Sequence, residues 1–198
     1  WIRPALVLDE GGAVVESVFP GVAAPVAVVG VSERGIINLS LSVAQEGGHA
    51  STPPRMTATA RLARAIVRLG AHPFPARFSK INFAMFDSLG AHAQGIFGVL
   101  LRNHRVTRAA LLLAFTRLSD ETNAVTRTTA AVTMLSASDA ANALAERAVA
   151  TVNIRVAVGS SVARAIEHVR KAVRDPKVAI DVLQAHEPSP ASPSSGRA

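Results

Sequence analysis

From Arg147 to Val156 the chain alternates without a break: Ala148, Ala150, Val152, Ile154 and Val156 fall on one side, Val149, Thr151, Asn153 and Arg155 on the other. That period of two is the mark of a strand with one covered face, and it argues against both a helix and a strand buried on both sides. A second segment repeats the pattern, with Ile37, Leu39, Leu41 and Val43 alternating with Asn38, Ser40 and Ser42. Two one-sided strands require a sheet and something apolar to cover it.

The cover is written in two amphipathic segments. Thr57 to Leu69 puts Ala58, Leu62, Ala65, Ile66 and Leu69 on one stripe and Arg61, Arg64 and Arg68 on the other, with Gly70 and Pro73 as the expected stop. Ser161 to Val173 carries Val162, Ile166, Val169 and Val173 on one face, a serine cap at its start and Asp175-Pro176 after it. Further strands are predicted at Thr128 to Leu135 and Val178 to Leu183. The order from Ile36 onward is therefore strand, helix, strand, strand, helix, strand, the split βαβ or ferredoxin-like pattern of an α+β domain. Two helices would cover one face of a four-stranded antiparallel sheet, leaving edges open to pair with a second copy.

Residues 74–123 interrupt this order. They read as a helical insertion, with short helices at Ile81 to Leu89, Ile96 to Leu101 and Ala109 to Leu118 separated by Gly90, Gly95 and the basic stretch Arg102 to Arg108. Phe74, Phe78, Phe83, Phe86, Phe97 and Phe115 lie here, so the segment has a helical core of its own or a surface buried against a neighbour. Ahead of the sheet pattern, Ala5 to Leu8, Ala13 to Val15 and Val26 to Val29 read as short strands broken by Gly11-Gly12, Pro20 and Pro25. Glu187 to Gly196 is Pro- and Ser-rich and carries no core-forming pattern.

Composition excludes several functions. With no cysteine there is neither a disulfide nor a thiolate metal site, so only His and carboxylates could ligate a metal. The net charge of +7 comes from 21 cations, all arginine except Lys80, Lys171 and Lys177, scattered rather than striped, and aromatics are only 4%. Scatter without a stacking platform argues against nucleic acid. No apolar run reaches the ~20 residues of a membrane span, and Trp1-Ile2-Arg3-Pro4 lacks the layout of a signal peptide, so a cytoplasmic place is favoured. The missing initiating methionine leads us to expect that the chain begins partway through a longer protein.

Chemistry-bearing residues are few. No phosphate loop of the GxxxxGK type, no GxSxG, no HExxH and no CxxC occurs. Gly47-Gly48-His49-Ala50-Ser51 sets a histidine in the turn between a strand and the first helix, the kind of loop that carries function. Asp9 and Glu10 follow Ala5 to Leu8, a carboxylate pair at a strand's C-terminal end. Each residue also has a plainer reading: a polar turn at Asp9, a turn former at Asn142, a solvated residue at Arg155, and surface positions for His72, His92, His104, His168 and His186.

Leu8-Asp9-Glu10-Gly11-Gly12-Ala13, Gly47 to Ser51 with Pro53-Pro54, Asn142 ahead of Thr151-Val152-Asn153-Ile154-Arg155, and Glu187-Pro188-Ser189-Pro190 occur in an order that resembles one family. It is the aminoacylase and carboxypeptidase family of dinuclear zinc amidohydrolases, in its carboxypeptidase S-like branch. The resemblance implies a lid and dimerisation domain over residues 34–186, with the helical insertion at about 74–123. Residues 1–33 would end the first half of an α/β catalytic domain; 187–198 would be a disordered tail or its resumption.

The resemblance further implies that Asp9 ligates one metal and that His49 donates to the oxyanion of a tetrahedral intermediate. It also implies that Asn142 and Arg155 hold the substrate's carboxylate. The intact enzyme would use two zinc ions, or other divalent metals, to cleave a peptide or N-acyl amino acid beside a free carboxylate, as a homodimer. The family's His-x-Asp and Glu-Glu ligand motifs are absent from the chain, and Ala145 stands where proline is commoner. We therefore expect the chain alone to be inert and to hold no metal stably. The alternative is a stand-alone homodimerisation module without catalysis.

Overall fold

The computed structural model describes residues 12–19 and 21–193, so the expected strand at Ala5 to Leu8, Asp9 and Glu10 lie outside the described residues. The chain divides into two compact units, one holding residues 34–75 and 127–188, the other residues 12–33, 76–126 and 189–193. In chain order the elements are β1 (Ala13–Val15), β2 (Val26–Val28), β3 (Gly35–Ala44), β4 (Gly48–His49), α1 (Ala58–Ala71), α2 (Lys80–Gly90), α3 (Gly95–Arg102) and α4 (His104–Leu118). There follow α5 (Asp120–Thr126), β5 (Thr129–Ser136), β6 (Ala143–Leu144), β7 (Arg147–Val156), α6 (Val162–Val173) and β8 (Ala179–His186).

The first unit is the ferredoxin-like domain. Its sheet runs β5-β7-β3-β8, every neighbour antiparallel, with Ile37 opposite Ile154, Leu39 opposite Val152 and Leu41 opposite Ala150. Those six side chains are fully buried, as are Ala148 and Val156. Above them α1 lays down Ala58, Leu62, Ala65 and Leu69, and α6 lays down Ala165, Val169, Ala172 and Val173. Each large aliphatic side chain so covered contributes roughly 1.5–3 kcal/mol.

The arginine side of α1 is not merely solvated. α6 ends at Arg174, whose φ of 49° turns the chain left-handed, and this brings Asp175 beneath α1. Arg61 donates to both carboxylate oxygens of Asp175 at 2.9 and 2.8 Å, Arg64 donates at 2.7 Å, and Arg68 reaches the Val173 carbonyl at 3.0 Å. Burial pushes the Asp175 carboxyl up, but the hydrogen bonds from Arg64, the Lys177 N–H and Arg61 prevail and hold it below its ordinary value.

The second unit buries Phe78, Phe86, Leu89, Leu101, Leu111 and Phe115 of the helical segment with Val22. Phe78 meets Phe86 and Phe115 edge-on, with ring centroids 4.8 and 5.6 Å apart. Gly21 sits at φ 79° with its carbonyl accepting from Gln94 N–H at 2.7 Å, and a Cβ there would lie 2.7 Å from the Gln94 oxygen, so no side chain fits. β1 and β2 form a two-stranded antiparallel ladder.

Several expectations are corrected. α1 continues through Gly70 to Ala71, because helical geometry there meets no obstacle and the end is set by His72, whose N–H and ring bond back to Leu69 and Arg68. Arg105 and Arg108 belong to α4 rather than to a separator. α5 escapes the apolar pattern because its core-facing residues are Thr122 and Thr126. β8 extends to His186, three residues beyond the apolar run. His104 is buried, stacked on Phe83 at 5.3 Å with its Nε2 2.8 Å from Asp87, so it is no surface histidine. Among the described residues no helix is long and apolar enough to cross a membrane.

Candidate functional site

β3 carries the chain to Ala44, and the next residue, Gln45, brackets the loop that holds His49. Its N–H donates to the Glu146 carbonyl at 2.9 Å, and its side-chain oxygen accepts from Ala58 N–H at the first turn of α1. Thr57 caps the same turn, accepting from Ala60 N–H at 3.2 Å. The loop from Glu46 to Met56 is thus pinned at both ends.

The Gly-Gly-His segment is not the plain turn that its composition suggests. Gly48 and His49 form β4 and pair with Leu144 and Ala143 of β6, and Ala50 N–H donates to the Asn142 carbonyl at 2.9 Å. Two of the expected site residues, His49 and Asn142, are therefore side by side, both exposed, at the end of the sheet where Ala44 faces Arg147.

His49 has a defined ring orientation. Ser51 N–H donates to its Nδ1 at 3.2 Å, and the Ser51 hydroxyl lies 2.9 Å from the same atom. A nitrogen that accepts from a backbone N–H carries no proton, so the neutral ring of this exposed residue holds its proton on Nε2, which bonds to no described residue. An outward Nε2–H is a hydrogen-bond donor of the kind an oxyanion requires.

Arg155 lies elsewhere. It sits on the open face of β7, paired with Ile36 and Thr129, eight residues beyond Arg147. At ~3.4 Å per residue this places it about 27 Å along the strand from the end that carries His49 and Asn142. The structure does not bring the three together within one chain.

The Arg155 end has its own polar arrangement. The Arg34 Nη2 donates to the Arg127 carbonyl at 2.7 Å, to the Arg155 carbonyl at 2.8 Å and to Thr129 Oγ1 at 3.4 Å. Burial and, after it, the nearby Arg155 charge lower the Arg34 pKa from its usual range. Along the same face, Asn153 donates to Asn38 at 2.7 Å and Asn38 to Gln184 at 3.0 Å, a polar ladder across three strands.

Among the described residues no three His, Asp or Glu side chains gather as metal ligands, and Asp9 lies outside them. The described residues therefore do not by themselves make up a site for a metal pair.

Sequence reasoning assigns no role to Ser51, Gln45 or Arg34. Ser51 stands within the histidine motif, yet only its bond back to the ring reveals what it does. Gln45 and Arg34 have no sequence signal, because each acts on partners fixed by the fold.

Residues 31–181 match the family model described as the peptidase dimerisation domain. The chain is 34% identical over 198 residues to the human N-fatty-acyl-amino acid synthase/hydrolase PM20D1, covering 100% of this chain and 39% of that protein. It is 33% identical to a probable carboxypeptidase S-like protein of Dictyostelium discoideum, covering 96% of this chain and 37% of that protein. Human carnosine dipeptidase 1 superposes with a TM-score of 0.52 at 8% identity, over 82% of this chain and 39% of that structure, a likeness of fold alone. The chain spans under two fifths of the length of each.

Proposed function

The chain belongs to the peptidase dimerisation domain family of the M20 hydrolases, and from that premise we propose that it joins two copies of an amidohydrolase and completes the active site of each. The substrate class is a peptide or N-acyl amino acid whose amide bond lies beside a free carboxylate. The names carried by the relatives, a fatty-acyl-amino acid hydrolase and a carboxypeptidase, support that class. A zinc pair in the whole enzyme would supply the attacking water.

One observation carries the proposal: His49 and Asn142 sit together while Arg155 lies at the other end of the sheet. A small amide cannot reach both ends, so within one chain the two groups serve different sites. Pairing two copies resolves this. Both sheet edges expose apolar side chains, Met134 and Leu135 on β5 and Val182 and Leu183 on β8, but β5 has no charged residue whereas β8 carries Asp181. A bare, uncharged edge invites pairing. When β5 pairs with its own copy about a two-fold axis, the ends of the two sheets exchange sides. His49 and Asn142 then lie on the same side as Arg155 of the partner subunit, with only about 14 Å, three strand spacings, between the two β7 strands. His49 gives its Nε2–H to the oxyanion of one site, worth roughly 3–4 kcal/mol by comparison with other such donors.

The flanks fit an inserted domain. Glu33 N–H donates to Ser189 Oγ at 2.7 Å, Ser189 N–H to the Glu33 carbonyl at 3.0 Å, and Ser192 N–H to the Val31 carbonyl at 2.7 Å. Entry and exit therefore lie side by side, as expected if residues 1–33 and those from 187 belong to one catalytic domain. Asp9 would be its metal ligand in this chain.

Mixing two inactive variants of the whole enzyme tests the shared site. His49→Ala and Arg155→Ala subunits should each be inactive and, on mixing, regain about a quarter of the normal rate, because half of the dimers gain one intact site. No recovery between variants that remain dimeric would place all three residues in one subunit's site. The reading as a pairing module without catalysis is favoured by the lack of a ligand group among the described residues. Zinc-dependent release of amino acid by the whole enzyme would remove it.

A further inference from the structure

Three arginines lie at one end of the sheet without a counter-charge, the Arg34 side chain bonding the backbone carbonyls of the other two. Arg34, Arg127 and Arg155 are linked through backbone carbonyls and Thr129, and among the described residues no carboxylate lies within ion-pair distance of any of them. Elsewhere some half-buried arginines are neutralised, as Arg61 and Arg64 close on Asp175, whereas Arg68 is held by carbonyls alone. Arg34 is half-buried, and its Nε is enclosed with no hydrogen-bond partner. Its Nη2 is fully engaged by the strand ends, while no bond to Nη1 is formed by any described residue. The Arg34 guanidinium is bonded to the Arg155 carbonyl and to Thr129, the strand partner of Arg155, so two cationic residues share this strand end, and an anion between them would supply the missing counter-charge.

We propose that Arg34 and Arg155 form a two-guanidinium seat for a carboxylate, Arg34 being a substrate-binding residue anchored through Nη2 and offering Nη1. This rests on the reading of Arg155 as the carboxylate-holding residue and adds to it. The strand-end bonds fix Arg34 before any ligand arrives, so little side-chain freedom is lost on binding. The Arg155 guanidinium can meet the two oxygens of a carboxylate with its planar fork, and Arg34 adds a single N–H from Nη1. Selectivity for a free acid over its ester or amide follows, because only the anion removes the repulsion between the two cations.

The test uses the 198-residue chain, isotope-labelled, with the Nε–H signals of its arginines followed by NMR during titration with N-acetylglycine, and with its methyl ester as the neutral control. The Arg34 and Arg155 signals should move together along one binding curve with the acid and stay still with the ester. Arg34→Lys and Arg155→Lys should each weaken binding about tenfold, since a lysine keeps the charge but loses the strand-end anchoring of Arg34 in the first case and the planar fork in the second. Movement of Arg155 alone, or an affinity unchanged in Arg34→Lys, would overturn the role of Arg34 and leave the reading of Arg155 standing. An affinity unchanged in Arg155→Lys would sink that reading and the paired seat with it, as would still signals throughout. Should Arg34→Lys fail to fold, the signals of the unaltered chain decide the matter.

Discussion

The two units are built from different kinds of core. The sheet unit is packed with β-branched and aliphatic side chains whose positions follow a period of two on β3 and β7 and a helical period on α1 and α6. The helical unit is packed around phenylalanines that meet edge to face, Phe78, Phe86 and Phe115, with a buried histidine stacked at their margin. The first core is specified by pattern, the second by the shapes of a few large side chains. A pattern tolerates small exchanges that keep its period, whereas a cluster of rings depends on each member.

The largest effect should come from the aromatic cluster. Phe86 is fully buried and touches both other rings, so Phe86→Ala should destabilise the helical unit by about 3–5 kcal/mol. Hydrogen exchange should show lost protection in α2 and α4 with β3 and β7 unaffected. Ile154→Ala, at the centre of the patterned core, should remove about 3 kcal/mol from the sheet unit, with the opposite distribution of protection. If either change melts both sets of amides in one step, the two cores are one cooperative structure and the contrast between them fails.

Asp175 is the sharper probe of the sheet unit, because its polar bonds add to the shared apolar core in tying α1 to the end of α6. Its side chain is 6% exposed and receives two arginines. Asp175→Asn should cost about 2 kcal/mol through the lost charged hydrogen bonds. The folded carboxyl titrates below its unfolded value, so its stabilisation is complete above the unfolded value and is lost as the pH falls through the folded one. Thermal unfolding of the unaltered chain should therefore weaken with acid in that window, and the Asn variant should show less of this loss. An identical acid response in both would mean that other carboxylates carry it.

The same contrast explains what was legible in the sequence. The strands of the sheet, their order along the chain and both covering helices follow from periodicity, because the burying positions repeat. α5 does not, since threonines face its core, and the role of Arg34 does not, since its acceptors are carbonyls from Arg127 and Arg155 that converge only after folding. The site stands between these cases. Continuing the β3–β7 register five residues past Ala44 and five before Arg147 would set His49 opposite Asn142, and the observed partner, Ala143, is one residue away. The meeting of two residues far apart in sequence was therefore implicit in the paired strands. The distance of Arg155 from them was implicit too, since it lies eight residues along the same strand from Arg147.

The smallest expected effect concerns the orientation of the histidine. Ser51→Ala removes the hydroxyl beside His49 Nδ1 and leaves the backbone N–H that donates to it. At an exposed loop such a change should alter stability by no more than about 0.5 kcal/mol. The tautomer should also persist, because the N–H alone is enough to keep Nδ1 unprotonated; nitrogen NMR of the imidazole above its titration range should show Nε2–H as the dominant form in both chains. The ring itself should become more mobile, with one of its two tethers gone. A dominant Nδ1–H signal in the unaltered chain would turn the donor inward toward Ser51 and leave His49 without an outward proton, which removes the physical basis for its place at an oxyanion.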